Sequence, residues 1–215
     1  MLSHQEVRAF YDRFGAKQDW QSIYEDRAVA DLVEHLSLGS ARSVFELGCG
    51  TGRLAEQLLR TRLPSDANYL GIDISSTMIR LAGKRTLRFG SRAEVRLTSG
   101  ETRIGVPPDS FDRFLSAYVL ELLSEDEIQL LLHEAHRMLV PGGSLGLVTF
   151  THGFTFLSRI VERIWAAAYR LRPSLVGGCR PLHLKKFVKD GWRITYLREI
   201  ARFGVASEVL VAKKV

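Results

Sequence analysis

Two stretches of this chain carry residues spaced for ligand chemistry. The first runs from Val44 to Leu54 and reads Val-Phe-Glu-Leu-Gly-Cys-Gly-Thr-Gly-Arg-Leu, with an acid at Glu46 and glycines at Gly48, Gly50 and Gly52. Glycine reaches positive φ without steric cost, and with no Cβ it lets backbone approach a ligand. A glycine turn between a strand and a helix is where an α/β sheet receives a nucleotide-like molecule. The second stretch is Leu70-Gly71-Ile72-Asp73-Ile74-Ser75, in which Asp73 stands 21 residues after Gly52. A carboxylate there accepts both hydroxyls of a ribose. The structural alternative is that Asp73 or Ser75 caps the next helix.

The spacing narrows the ligand. A dinucleotide fingerprint needs glycine at its first, third and sixth positions, and a phosphate-binding P-loop needs Gly-Lys-Ser/Thr. Counting from Gly48, the sixth position is Arg53, and Gly52 is followed by Arg53-Leu54. Both patterns fail, and what remains is acid-x-Gly-x-Gly-x-Gly.

Around these stretches, hydrophobic periodicity predicts an alternation of strands and helices. Helices are expected over Gln5 to Phe14 and Gln21 to Leu36, the second with Ile23, Ala30, Val33 and Leu36 on its apolar side. The expected strands are Ser43 to Leu47, Asn68 to Ile74, Ala93 to Thr98, Ser110 to Ala117 and Ser144 to Phe150. Helices over Arg53 to Arg62, Thr77 to Phe89 and Glu125 to Leu139 lie among them, with Pro141-Gly142-Gly143 ending the last. Such βαβ units imply a parallel sheet with right-handed crossovers. Trp192 to Ile200 and Ala206 to Lys213 are joined too briefly for a crossover and suit an antiparallel pair. The expected class is therefore α/β: a doubly wound, mostly parallel seven-stranded sheet with an antiparallel last strand and helices on both faces.

Length and composition set the frame. At 215 residues, with 46% hydrophobic and 25% charged residues, the chain fits one globular domain rather than a disordered segment. Its first residues are polar, no run reaches the ~18 apolar residues a membrane span requires, and only Cys49 and Cys179 are present. These features predict a cytoplasmic protein without a disulfide framework. The net charge of +6 is uneven: residues 151–215 hold 13 Lys+Arg against 4 Asp+Glu, whereas residues 1–150 hold 17 against 20. A basic last third suits an anionic substrate, a membrane surface, nucleic acid or simply a solvated face.

Glu46-Leu47-Gly48-Cys49-Gly50-Thr51-Gly52 and Gly71-Ile72-Asp73-Ile74-Ser75 resemble the first two motifs of the class I S-adenosylmethionine-dependent methyltransferases. Ser110-Phe111-Asp112 and Arg137-Met138-Leu139-Val140-Pro141-Gly142-Gly143 match later motifs in order and spacing. The likeness covers Ser43 to Phe150 firmly and the final strand pair more loosely. It implies S-adenosyl-L-methionine as cofactor and a single domain, with residues 1–40 as a helical cap, 41–150 as the cofactor-binding core, 151–190 as a substrate-side insertion and 191–215 as the last strand pair.

The resemblance also implies roles. The turn carrying Gly48, Cys49, Gly50 and Gly52, supported by Glu46, lies against the methionine part; Asp73 takes the ribose hydroxyls; Ile74 and Met78 border the adenine. Gly100 or Glu101 meets the adenine amine. Ser116 and Ala117 approach the methionine amino group by backbone, and Tyr11 and Trp20 resemble N-terminal aromatics that close over the cofactor.

The acceptor side is less defined. Tyr118, His152 and His183 are the catalytic candidates, with Tyr118, His152 and Arg180 as substrate contacts. Glu121 is expected at the start of the following helix, and His133 and His136 as structural or solvated. No His, Cys and carboxylate set shows metal-ligand spacing. In the insertion, Leu157, Ile160, Val161, Ile164, Trp165, Ala168 and Leu171 form a helical stripe that predicts packing on the sheet, a lid or a membrane-surface helix, with Pro173 as its stop. A loop, Val176 to His183, then leads to a short helix near Leu184 to Lys189. The expected reaction is methyl transfer to an O or N atom of a small, lipid-like or anionic acceptor. The alternatives are an RNA methyltransferase and a non-catalytic cofactor-binding module; no Asn/Asp-Pro-Pro-Tyr-type motif follows the fourth strand.

Overall fold

The computed structural model of the chain describes residues 2–172 and 177–215, so the predicted stop at Pro173 and the start of the loop at Val176 lie outside the described residues. Seven strands form one sheet in the order β3-β2-β1-β4-β5-β7-β6. They are β1 Ser43–Leu47, β2 Asn68–Asp73, β3 Ala93–Leu97, β4 Phe111–Ala117, β5 Leu139–Phe150, β6 Trp192–Arg202 and β7 Val205–Lys214. Strands β1 to β5 pair in parallel, while β7 is antiparallel to both β5 and β6. The expected α/β class and the antiparallel final strand are therefore both present.

Among the described residues six α-helices cover the faces: α1 His4–Phe14, α2 Ser22–His35, α3 Arg53–Thr61, α4 Ser76–Thr86, α5 Glu125–Met138 and α6 Phe156–Leu171. One core face gathers Phe45, Phe114, Leu145 and Leu147 under Ile128, Leu132 and Met138 of α5. The other gathers Val44, Leu115, Val148 and Val209 under Leu32 of α2, Leu36 at its C-terminal cap and Leu58 of α3. Strand residues alternate between these faces because successive side chains point opposite ways. Among the described residues no helix is long and apolar enough to cross a membrane.

Three local expectations need correction. The strand β5 begins at Leu139, so Pro141-Gly142-Gly143 lies inside it and does not terminate α5. The helix stops earlier because the residue before a proline is pushed to extended backbone, and the Pro-Gly-Gly segment falls where the β4–β5 register shifts between Phe111 and Arg113. Helix α2 buries Ala28, Leu32, Val33 and Leu36, whereas Ile23 and Ala30 face outward. Helix α6 turns Ser158, Val161, Trp165 and Ala168 inward and leaves Leu157, Ile160, Ile164 and Leu171 exposed. Its apolar arc is wider than one buried face, so periodicity alone could not say which half packs.

Candidate functional site

The parallel strands β1, β2 and β4 end at one edge of the sheet, and a cleft of about 950 Å³, open mouth included, lies there. Its wall includes Gly48, Asp73, Ile74, Gly100, Glu101 and Tyr118, together with Tyr11 and Gln18 from the N-terminal segment. Gly48 and Gly50 both take positive φ, at 71° and 52°. The turn is tied to β2 by the Gly48 and Cys49 amides, which donate to the Ile72 carbonyl at 2.8 and 3.0 Å.

Asp73 is fixed by backbone. The Gly50 amide donates to one carboxylate oxygen at 3.0 Å and the Ser75 amide to the other at 2.8 Å. The helix-cap alternative goes to Ser75, whose hydroxyl accepts from the Met78 amide at 3.2 Å. The Asp12 carboxylate supports that cap, accepting from the Ser75 hydroxyl at 2.6 Å and the Thr77 amide at 3.1 Å. Burial raises the Asp73 carboxyl above its usual range, with the two amides acting against it. An acceptor held rigidly at the cleft wall, beside a turn with no Cβ, is what a ribose requires.

The other expected cofactor residues divide. Gly100 and Glu101 both line the cleft; Glu101 is exposed and occupied by Thr98 and Ser99, whose hydrogen bonds hold its carboxyl at about 2. Glu46 is buried beneath the turn and accepts from the Tyr69 hydroxyl at 2.5 Å; burial raises it to about 7. Cys49, Met78 and Ser116 are buried below the wall. Gly52 has a packing role: a Cβ there would sit 2.7 Å from the Ala82 backbone of α4. Trp20 is 76% exposed and outside the cleft, because the Gly15–Gln21 segment winds as a 3-10 helix that presents Gln18 inward in its place.

That segment is anchored. Asp19 accepts from the Thr51 hydroxyl at 2.6 Å and from Arg85 of α4 at 2.5 Å, and Arg85 also reaches the Thr51 carbonyl at 3.2 Å. The Gln18 side chain is thereby held over Gly50, where a Cβ would lie 2.8 Å from its Oε1. This oxygen is buried without a partner, so the cleft presents a free acceptor next to the glycine turn.

At the far side of the cleft wall stands Tyr118, a non-glycine residue at φ 57°. A bulky side chain held in the left-handed region stores strain, which clusters at functional sites. Its amide donates to the Val148 carbonyl at 2.9 Å, its hydroxyl lies 2.9 Å from that of Ser207, and its ring is 4.7 Å from Phe150. Behind Phe150 and Trp165 lies a second pocket of about 700 Å³, between α6 and the β6–β7 turn, lined also by Val161, Val205, His152 and Arg180. Tyr118, in the wall of the cleft, and Phe150, in the wall of the pocket, thus stand in contact between the two spaces.

Two carboxylates near this contact were not legible as site residues. Glu121 does not open α5; it sits in a 3-10 turn, Leu120–Leu122, fully buried. One of its oxygens accepts from the Thr149 hydroxyl at 2.8 Å and the other has no partner. Burial lifts its carboxyl to about 7. Glu25 of α2 is lifted to about 8 by burial, with the charge of Glu121 adding to it. Both bear on the phenols of Tyr11 and Tyr118, which burial raises well above their ordinary value. The available signal for Glu25 was its position three residues before Ala28, on the line of buried residues Ala28, Leu32 and Leu36.

The histidine candidates lie apart from that centre. His152 is exposed and its Nδ1 is 2.6 Å from Glu162 of α6. Its ring is 4.8 Å from that of His183. Arg180 donates to the Leu123 carbonyl at 2.6 Å. The fold also joins residues that sequence spacing kept separate: the ligand-capable atoms of His183, Glu199 and Glu208 lie within 4.8 Å of one another. Glu199 and Glu208 are cross-strand partners, and the Leu184 amide donates to Glu208.

Residues 44–143 match the family model described as a methyltransferase domain. A demethylmenaquinone methyltransferase of Tropheryma whipplei (strain Twist) is 35% identical over 161 residues, which is 71% of this chain and 62% of that protein. A malonyl-[acyl-carrier protein] O-methyltransferase of Paenibacillus sp. is 34% identical over 184 residues, 82% of this chain and 64% of its own. The chain therefore spans less than two thirds of the length of these relatives. A solved S-adenosylmethionine-dependent methyltransferase from Methanosarcina mazei superposes with a TM-score of 0.67 at 19% identity, covering 86% of this chain and 97% of that one.

Proposed function

The chain belongs to the class I S-adenosylmethionine-dependent methyltransferase family, and on that premise we propose that it methylates an oxygen or nitrogen of a small, largely apolar acceptor seated beside Tyr118 and Phe150. The observation that carries the reading is the buried, unpartnered Glu121 oxygen, held at Thr149 beside the Phe150–Tyr118 contact that separates the cleft from the second pocket.

The cleft residues fit the family's cofactor. Gly48 enters the cleft wall with no side chain, Asp73 offers a fixed carboxylate, and Gln18 a free acceptor. S-adenosylmethionine supplies an electrophilic methyl on a sulfonium sulfur, so the protein's task is alignment and exclusion of water. With the cofactor bound, Asp73 would hold its ribose, Tyr11 and Gln18 would cover the cleft, and Tyr118 would stand on the acceptor side of the transferred methyl.

A hydroxyl or ammonium acceptor must also lose a proton. Glu121, at about 7, and Glu25, at about 8, titrate near neutrality, where a general base works best. In this reading Glu121, held at Thr149 behind the pocket-lining Phe150, takes the acceptor's proton, directly or through one water, and the charge of Glu25 tunes it. The apolar lining of the second pocket suits a ring or acyl chain, and one relative is named for methylating a ring of that kind, a demethylmenaquinone.

The test is transfer of radiolabelled methyl into cell extract split into lipid, small-molecule, protein and RNA fractions. Label is expected in the lipid or small-molecule fraction. Label confined to RNA or protein, or no label from a protein that binds S-adenosylhomocysteine, removes the acceptor assignment.

A further inference from the structure

Helix α6 turns two faces to two different surroundings. Val161 and Trp165 line the second pocket. The outward face carries Phe156 at 82% exposure, Ile164 at 66% and Leu171 at 83%, with Leu157 and Ile160 between them. These recur at helical intervals and make one continuous apolar stripe. The β6–β7 turn extends it. Gly204 packs so closely on α6 that a Cβ would lie 2.5 Å from Val161 and 3.1 Å from Leu157. Phe203, the residue before, is therefore beside the stripe; it is 68% exposed and held at φ 50°. A large aromatic kept both exposed and in the left-handed region is costly on two counts.

The charges beside this patch have one sign. Arg159, Arg163, Arg170 and Arg172 are exposed along α6 and its end, and Arg202 adjoins Phe203. None of these five forms a salt bridge among the described residues. The only acid of α6, Glu162, is bound to His152 and the Gly153 amide. An apolar stripe edged by unneutralised arginines has the build of a helix that lies in the headgroup layer. A second copy would bring the same arginines together, whereas lipid phosphates neutralise them.

We propose that the outward face of α6 and the Phe203 turn dock this protein on the surface of an anionic phospholipid bilayer. Phe156, Ile164, Leu171 and Phe203 enter the boundary between headgroups and acyl chains, and the arginines bind lipid phosphates. Docking in this orientation brings the second pocket, between α6 and the same turn, to the membrane. The implication that the acceptor arrives from the lipid phase rests on the methyl-transfer reading; the docking itself does not.

The experiment is flotation of the whole protein with vesicles of phosphatidylcholine alone, and with vesicles of equal parts phosphatidylcholine and phosphatidylglycerol. The protein is expected to float with the mixed vesicles and not with the neutral ones. The double variant Arg163→Glu/Arg170→Glu should lower partitioning by about thirty-fold or more, since each basic residue near such a surface is worth roughly fivefold. Ile164→Glu and Phe203→Ser should each lower it by about tenfold. Calorimetric binding of S-adenosylhomocysteine by every variant, unchanged from the parent, shows that the fold is intact. No flotation with mixed vesicles, equal flotation with both kinds, or variants that float like the parent would overturn the proposal. So would a dimer in light scattering that Ile164→Glu dissociates. Flotation without S-adenosylhomocysteine binding would keep the docking and remove the methyl-transfer reading; the reverse result would do the opposite.

Discussion

The Gly50 amide donates to the Asp73 carboxylate at 3.0 Å, joining the glycine turn to the end of the neighbouring strand across 23 residues of sequence. Two motifs that look independent in the chain are thus one device: the turn that approaches the ligand also aims the acid. Asp73→Ala removes the acceptor proposed for the ribose and leaves the Gly50 and Ser75 amides unpaired. S-adenosylhomocysteine affinity should fall by about 1–3 kcal/mol, the range for lost charge-assisted hydrogen bonds. Titration calorimetry reads this directly, and an unchanged affinity would remove the ribose assignment.

Gly50→Val should abolish cofactor binding while leaving the far-ultraviolet circular dichroism unchanged. The new side chain would occupy a backbone position at φ 52° and meet Gln18 at 2.8 Å. Normal binding would mean that the turn serves another purpose.

For Glu121→Gln, methyl transfer should drop by about 10²- to 10⁴-fold, the usual contribution of a general base. The parent rate should rise with pH through about 7, following ionisation of this carboxyl, and the variant should lose that limb. Because Gln keeps the acceptor for the Thr149 hydroxyl, a purely structural role would leave the pH profile in place.

The same carboxyls predict how stability depends on pH. Glu25 is raised to about 8, and Glu46 and Glu121 to about 7, each by burial first. Between the ordinary carboxylate value and these, the folded protein binds more protons than the unfolded chain, so stability falls as pH rises. The contribution is complete below about pH 4.5 and is lost progressively up to about pH 8. Each tenfold change in a carboxylate's proton affinity on folding corresponds to about 1.4 kcal/mol. In a domain of this size, about 1 kcal/mol moves the melting temperature by roughly 2–4 °C. Thermal melts of the parent should decline from pH 5 to 8, and those of Glu121→Gln should decline less. A flat parent profile would show that these groups ionise freely.

Ala166→Trp adds bulk to the wall of the second pocket without touching the cleft. KM for the acceptor should rise at least about tenfold, as loss of a well-packed apolar contact would require. The S-adenosylhomocysteine dissociation constant should not move. A parallel change in both would show that the two spaces are one site.

Much of this architecture was legible because it follows short-range rules. Alternation marked the strands, and the glycines with Asp73 marked the cleft, since positive φ and a strand-end acid need no distant partner to be recognised. What could not be read depends on which groups the fold brings together. Glu121 looked like a helix-start residue because three acids and a serine capping box follow it at Ser124 to Glu127; only the packing of its turn against Thr149 buries it. Glu25 was hidden by the error in the buried face of α2, where Ile23 seemed the inner residue. In α6 the apolar arc was visible, but its division between the protein and the outside was not. Trp20 drew attention by its type, whereas Gln18, two residues earlier, has the side chain that faces the turn.

The bonds from Asp19 to Thr51 and Arg85 have a kinetic consequence. The segment that presents Gln18 over the glycine turn cannot swing away until a half-buried ion pair and a hydroxyl contact break together. Opening is therefore a discrete event with its own rate, and whatever lies beneath Tyr11 and Gln18 leaves no faster than that event permits. For the proposed methyl transfer, in which the spent cofactor has to be exchanged each cycle, such a latch would set a ceiling on turnover.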